Sequence, residues 1–121
     1  MPASKLVSIV DDDESVRESL PDLLRSAGFA AEPFDSAEAF LASDCLGRTA
    51  CLILDIAMPG MSGPELQQEL ELQGRDIPIV FITAHTDAAA RVLRRGASAC
   101  LFKPFSDTAL IDAVNVALGS G

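Results

Sequence analysis

Positive charge is scarce in this 121-residue chain: nine Lys and Arg stand against 18 Asp and Glu, a formal net charge of −9. Such a surface repels nucleic-acid phosphates, so direct nucleic-acid binding is not expected. Long hydrophobic runs are missing too. Stretches such as Ile79, Val80, Phe81 and Ile82 fall far short of the ~20 residues that cross a bilayer. The start of the chain shows no apolar segment of the signal-peptide kind. These absences argue against a membrane partner and lead us to expect a cytoplasmic location. Cysteine is sparse. Cys45, Cys51 and Cys100 fit no metal-ligand spacing and leave one thiol over if any two pair. Free, mostly buried thiols in a reducing compartment are the simpler reading. Repeats, linkers and low-complexity segments are absent.

What the chain does have is apolar content. Hydrophobic residues make up 49% of it, enough for one domain over residues 1–121 with a sizeable core. Strand-like and helix-like patterns alternate five times. Leu6–Val10 reads as a buried strand. A helix follows with Val16, Leu20, Leu23, Leu24 and Ala27 on one face and Gly28 as its stop. Ala30–Phe34 reads as a weak edge strand, and Ser36 caps a short helix carrying Ala39, Phe40 and Leu41. Residues 51–54 are a third strand. A loop over 56–63 leads to Pro64 in the first turn of a helix carrying Leu66 and Leu70. Residues 78–83 form a fourth strand. Asp87 then caps a fourth helix ending at Gly96. Ala99–Phe102 is the fifth strand, and Ser106 caps the last helix, with Leu110, Ile111, Val114 and Leu118 inward. The pattern predicts an α/β fold: a (βα)5, flavodoxin-like three-layer sandwich around a parallel five-stranded sheet. Pro21 conflicts with its helix, since it removes a hydrogen bond and clashes with the preceding turn; a kink is expected there.

The chemistry gathers where strands stop. The first strand ends in Asp11, Asp12 and Asp13, the third in Asp55, the fourth in Thr83, and the fifth in Lys103 and Pro104. In an open α/β sheet, ligands bind at the carboxyl ends of the strands. With strand order 2-1-3-4-5 the first and third strands are neighbours at the switch point, and Thr83 and Lys103 line the same edge. Carboxylates that close repel by roughly 4 kcal/mol per pair at about 4 Å and an effective dielectric near 20. They need protons, a metal ion or a positive side chain. Carboxylates for a divalent cation, one hydroxyl and one ammonium suit a phosphoryl group attached to an aspartate.

The chain resembles a response-regulator receiver domain of the CheY-like family over nearly its whole length. The matching stretches are Val10-Asp11-Asp12-Asp13 with Ser15-Val16-Arg17, then Leu54-Asp55-Ile56-Ala57-Met58-Pro59-Gly60-Met61-Ser62-Gly63. Phe81-Ile82-Thr83-Ala84 and Phe102-Lys103-Pro104-Phe105 complete the set. Together, in order and spacing, they are highly specific. Ser36-Ala37-Glu38-Ala39-Phe40-Leu41 is most similar to receivers of NarL/FixJ-type transcriptional regulators.

The resemblance implies a phosphoacceptor of a two-component system and not an enzyme with a separate substrate, although such domains promote their own Mg2+-dependent phosphorylation and dephosphorylation. It implies that Asp55 accepts a phosphoryl group from a sensor histidine kinase. Asp11, Asp12, Asp55 and the backbone carbonyl of Ala57 would hold Mg2+. Lys103 and Thr83 would contact the phosphoryl oxygens, with Ala84 donating its amide, and the Lys103–Pro104 bond would be cis. It also implies a conformational switch controlling an output domain or partner, transcriptional in this subfamily, and allows a homodimer on phosphorylation. Two features depart from the family. Cys100 stands where an aromatic is usual, three residues before the lysine, and the interval from Thr83 to Lys103 is about two residues short.

Each residue has a plainer reading alone. The aspartate run suits any acidic helix start, with Asp13 as the cap. Asp55 could end a strand as a turn residue. Thr83 could be an ordinary strand residue, Lys103 a solvated charge, and His85, the sole histidine, a loop residue. Arg91, Arg94 and Arg95 are ordinary stabilisers near a helix end. The set raises the first four above these readings. An aspartate-nucleophile phosphatase would carry a second aspartate where Ala57 stands. A flavodoxin-like cofactor module would need a Ser/Thr/Gly-rich loop where Asp11, Asp12, Asp13 and Glu14 stand.

Overall fold

The computed structural model describes residues 5–84 and 99–119. Five strands form one parallel sheet in the order β2-β1-β3-β4-β5. They are β1 (Leu6–Val10), β2 (Ala30–Phe34), β3 (Thr49–Asp55), β4 (Ile79–Thr83) and β5 (Ala99–Phe102). Every residue of β1 and β4 is buried, as near-continuous apolar strands covered on both faces should be. The helices are α1 (Glu14–Ser26), α2 (Ala37–Leu41), α3 (Gly63–Leu72) and a C-terminal helix (Asp107–Ala117). The expected fourth helix, with Asp87, Arg91, Arg94 and Arg95, and His85 before it, falls outside the described residues.

Alternation along the strands splits the core in two. Val7, Ile9, Cys51, Ile53, Val80 and Ile82 pack with Leu20 and Leu24 of α1 and Leu110 and Val114 of the C-terminal helix. Val10, Leu52, Leu54 and Phe81 pack with Phe40 of α2 and Leu66 and Leu70 of α3. The sheet is thus the middle of three layers.

Local chemistry sets the helix starts. Asp13 accepts from the backbone N–H of Ser15 at 2.9 Å and from its hydroxyl at 2.8 Å. Ser36 and Ser106 accept from Ala39 and Ala109. Ser62 and Glu65 form a reciprocal capping box ahead of α3. Gly28 stops α1 with φ +98°, a conformation that glycine adopts without steric cost. α1 runs on through Pro21, which is buried. A short 3-10 turn over Asp44–Gly47, not expected from the pattern, precedes β3.

The outer edge of β2 is interrupted as a pairing surface. Ala30 N donates to Lys5 O and Phe34 O accepts from Asp11 N, so even-numbered residues face β1 and odd-numbered ones face outward. Of the outward pair, Ala31 has its carbonyl taken by Arg25 Nη2 at 2.9 Å, and Pro33 has no N–H to offer.

Candidate functional site

Register brings the acids together. Val10 pairs with Leu54, so Asp11, one step on, lies beside Asp55. Period two carries Asp11 to the side of Val7 and Ile9, and Asp55 to the side of Cys51 and Ile53. Asp11 is fully buried at 0% exposure and Asp55 nearly so at 7%, while Asp12 is exposed. One oxygen from each of the three can lie within 4.8 Å of the others.

Asp11 is fixed on several sides. Its Oδ1 accepts from Asp13 N at 2.9 Å, its N–H donates to Phe34 O at 3.1 Å, and Arg17 Nη1 donates to its backbone oxygen at 3.1 Å. Its Oδ2 faces Lys103 Nζ at 3.0 Å. Among the described residues this buried oxygen has no partner besides that ammonium. Lys103 also lies 3.6 Å from Asp55 Oδ2. Asp55 Oδ1 accepts from Ala57 N at 3.3 Å.

Among the described residues one ammonium faces three carboxylates, which leaves net negative charge at the strand ends. Burial, then the charge of Asp11, pushes the Asp55 carboxyl up to about 6 despite the opposing pull of Lys103. Burial works against the charge on Lys103, but Asp11 first, then Asp55 and Asp13, outweigh it and hold its pKa above the ordinary lysine value. The donor set fits a small hard cation. All donors are oxygens, and Lys103 offsets only part of their charge. Mg2+ takes such ligands with water filling the remaining octahedral positions.

The other expected residues lie on the same edge. Thr83 ends β4 and is buried at 1% exposure; its carbonyl accepts from Lys103 N at 2.8 Å. Ala84 follows in an exposed bend, and Ala57 is exposed. The Lys103–Pro104 peptide is cis. Cys100 lies in register with Phe81, half-buried against the α2–α3 side of the core, and burial raises its thiol pKa.

Two residues stand out here that lie in the matching stretches but were given no role from the sequence. A Cβ on Gly63 would strike the Asp55 carbonyl oxygen, and would come within 3.0 Å of Ile56 Cα and Phe81 Cε1. Glu38 reaches from α2 to the loop that follows Asp55: its Oε2 accepts from Met61 N at 3.3 Å. The glycine is marked only by its place just inside a helix start, and the glutamate by nothing local.

A doubly wound parallel sheet whose strand ends combine clustered aspartates, a threonine and a lysine defines a phosphoacceptor class of signalling module. The family model for the response regulator receiver domain matches residues 7–115, and the chain belongs to that family. It is 42% identical over 121 residues to transcriptional regulatory protein FixJ of Azorhizobium caulinodans, an alignment covering 98% of this chain and 57% of that protein. It is 44% identical over 111 residues to nodulation protein W of Bradyrhizobium diazoefficiens, covering 90% and 49%. The crystal structure of FixJ-N matches with a TM-score of 0.87 at 40% identity, covering 98% of this chain and 96% of that one. The chain spans about half the length of the curated relatives it matches. It is a two-component receiver domain homologous to those of transcriptional response regulators. No described helix is long and apolar enough to cross a membrane.

Proposed function

We propose that residues 1–121 form one receiver domain in which Asp55 is the phosphoacceptor, and that it works in the cytoplasm with a sensor histidine kinase as donor. The observation that carries this is the placement of Asp55: at a strand end, beside Asp11, 3.6 Å from Lys103 and open to the acidic cluster. Asp11, Asp12, Asp55 and the Ala57 carbonyl would hold Mg2+. When bound, the ion offsets the charge of the carboxylates and of the incoming phosphoryl oxygens. An Asp55 carboxylate oxygen attacks phosphorus; the new P–O bond forms as the P–N bond to the donor imidazole breaks, and the leaving imidazole takes its proton from water. Ala57 N–H orients Asp55, and Lys103 neutralises charge on the transferred group. Such transfer is mainly positioning and charge neutralisation, which the pocket supplies without a separate acid or base. The added charge of roughly −1.5 to −2 then draws in Thr83 and Lys103, with Ala84 donating its amide. That biases a two-state equilibrium read by an output domain or partner, a transcriptional one by homology. Pairing of two phosphorylated copies is one form that readout can take.

Incubation with Mg2+ and acetyl phosphate, followed by intact-mass and peptide analysis, tests the assignment. One phosphoryl group should appear on the peptide containing Asp55, and none in Asp55→Asn. A label elsewhere would overturn it.

The metal assignment has its own test. At about ten times its dissociation constant, a ligand of the folded state stabilises it by roughly 1.4 kcal/mol. Mg2+ at tens of millimolar should give the wild type a gain of that order in calorimetry. Asp12→Ala should lose most of the gain and label more slowly. An unchanged Mg2+ response in that variant would remove Asp12 from the ligand set.

A further inference from the structure

The backbone between Asp55 and α3 carries the Ala57 carbonyl, so its position matters to the pocket. Its two ends are held by the strand and helix that adjoin them. Ile56 N donates to Ile82 O of β4, Gly63 N donates to Ile56 O, and Ser62 N donates to Glu65 Oε1 of α3. Its middle is held from another element. Glu38, in the first turn of α2, leaves the capping of that helix to Ser36. It reaches across 23 residues of sequence to accept from Met61 N at 3.3 Å. The same Oε2 lies 2.9 Å from where a Cβ on Gly60 would sit, and Gly60 has φ +74°. The carboxylate therefore occupies the space a side chain at position 60 would need. Met58 and Met61 pack on the core layer that contains Phe40 of α2, so the loop leans toward the helix that holds Glu38.

We propose that Glu38 is a positioning residue for the acidic pocket: its carboxylate pins Met61 N–H and seats against Gly60, keeping the Ala57 backbone in place beside Asp55. This rests on the assignment of Asp55 as phosphoacceptor and deepens it. Glu38 does not touch the reacting atoms; it acts through the loop. The loop is exposed, so a freed Met61 N–H can turn to water and the fold survives the loss. The cost falls on precision of the loop.

Two measurements test this on the intact chain. The first is solvent exchange at the Met61 and Ala57 amides by NMR, without metal. The second is the Mg2+ dependence of labelling by acetyl phosphate. Glu38→Ala should speed Met61 exchange and raise the Mg2+ concentration for half-maximal labelling, each by about fivefold, the scale of one weak charge-assisted hydrogen bond. The rate at saturating Mg2+ and the melting temperature should stay near wild type. Glu38→Gln keeps an acceptor oxygen and should restore both readouts. Unchanged Met61 exchange and unchanged Mg2+ dependence in Glu38→Ala would overturn the proposal. So would a Gln variant that behaves like Ala, because the effect would then belong to charge and not to the hydrogen bond. A wild-type protein that takes no label would sink the assignment of Asp55 but not the loop contact, which Met61 exchange reports by itself.

Discussion

Gly63→Ala should be the most damaging small substitution near the pocket, lowering stability by about 2–4 kcal/mol and the melting temperature by roughly 10 °C. The added methyl group meets the Asp55 carbonyl oxygen, Ile56 Cα and Phe81 Cε1. Two of those three are backbone, and Phe81 is fully buried in the core. No flexible side-chain end can swing away, so the strand end or the helix start must move. α3 enters the fold at this glycine, capped by Ser62 and bonded from Gly63 N to Ile56 O. Pushing it outward displaces the segment that carries Asp55, so labelling should slow along with the loss of stability. The chain has no Trp and no Tyr, so unfolding is best followed by circular dichroism or calorimetry. A melting temperature within a degree or two of wild type would show that the helix start yields freely and that the close approach is not required.

Asp55→Asn should act in the opposite direction on stability while abolishing phosphorylation. In the folded protein the Asp55 carboxyl is raised to about 6 from an ordinary 3.8, by burial first and by Asp11 second. A carboxyl raised on folding favours the protonated folded state, so between about pH 4 and pH 6 the folded chain binds more protons than the unfolded one. Stability of the metal-free protein from this group therefore falls as pH rises through that window and stays low above it. Asparagine has no such titration. At pH 7 the variant should be more stable than wild type by about 1–2 kcal/mol, less than the whole shift would give because the pocket mouth is open to water. Below about pH 4 the two should converge, and Mg2+ should narrow the gap at pH 7 by stabilising the wild type more. A wild type more stable than Asp55→Asn in metal-free buffer at pH 7 would contradict the electrostatic account.

The five strands and the pocket could be read from the chain because their signals are local. Leu6–Val10 and Ile79–Thr83 are unbroken apolar runs, and both are buried throughout. Asp11, Asp55, Thr83 and Lys103 sit where such runs stop, so strand order alone brings them together. Where the signal depends on a distant partner, the sequence is silent. β3 begins at Thr49, two residues before the expected start, because Thr49 and Ala50 add nothing to the apolar run that marks the strand. The Thr49 hydroxyl is satisfied by bonding Ser8 and the Cys45 carbonyl, each at 2.7 Å. The 3-10 turn over Asp44–Gly47 is too short for any periodicity. Glu38 looks like an ordinary acid in a first helical turn; only the folded chain brings it to Met61. Gly63 looks like a loop end until Asp55 and Phe81 stand against it.

The interrupted edge of β2 has a consequence for how copies of this domain can meet through their sheets. An unsatisfied strand edge is a template for an added strand. At Ala31 and Pro33 one carbonyl is already occupied by Arg25 and one donor is missing, so that side offers no continuous ladder. The other border of the sheet is β5. Filament growth through sheets needs two joinable borders on every subunit, one to receive and one to extend. A subunit with one joinable border can at most make a two-fold pair, after which nothing remains to extend. Repeated growth through sheets is therefore disfavoured at β2, where an incoming strand would meet an occupied carbonyl and a missing donor.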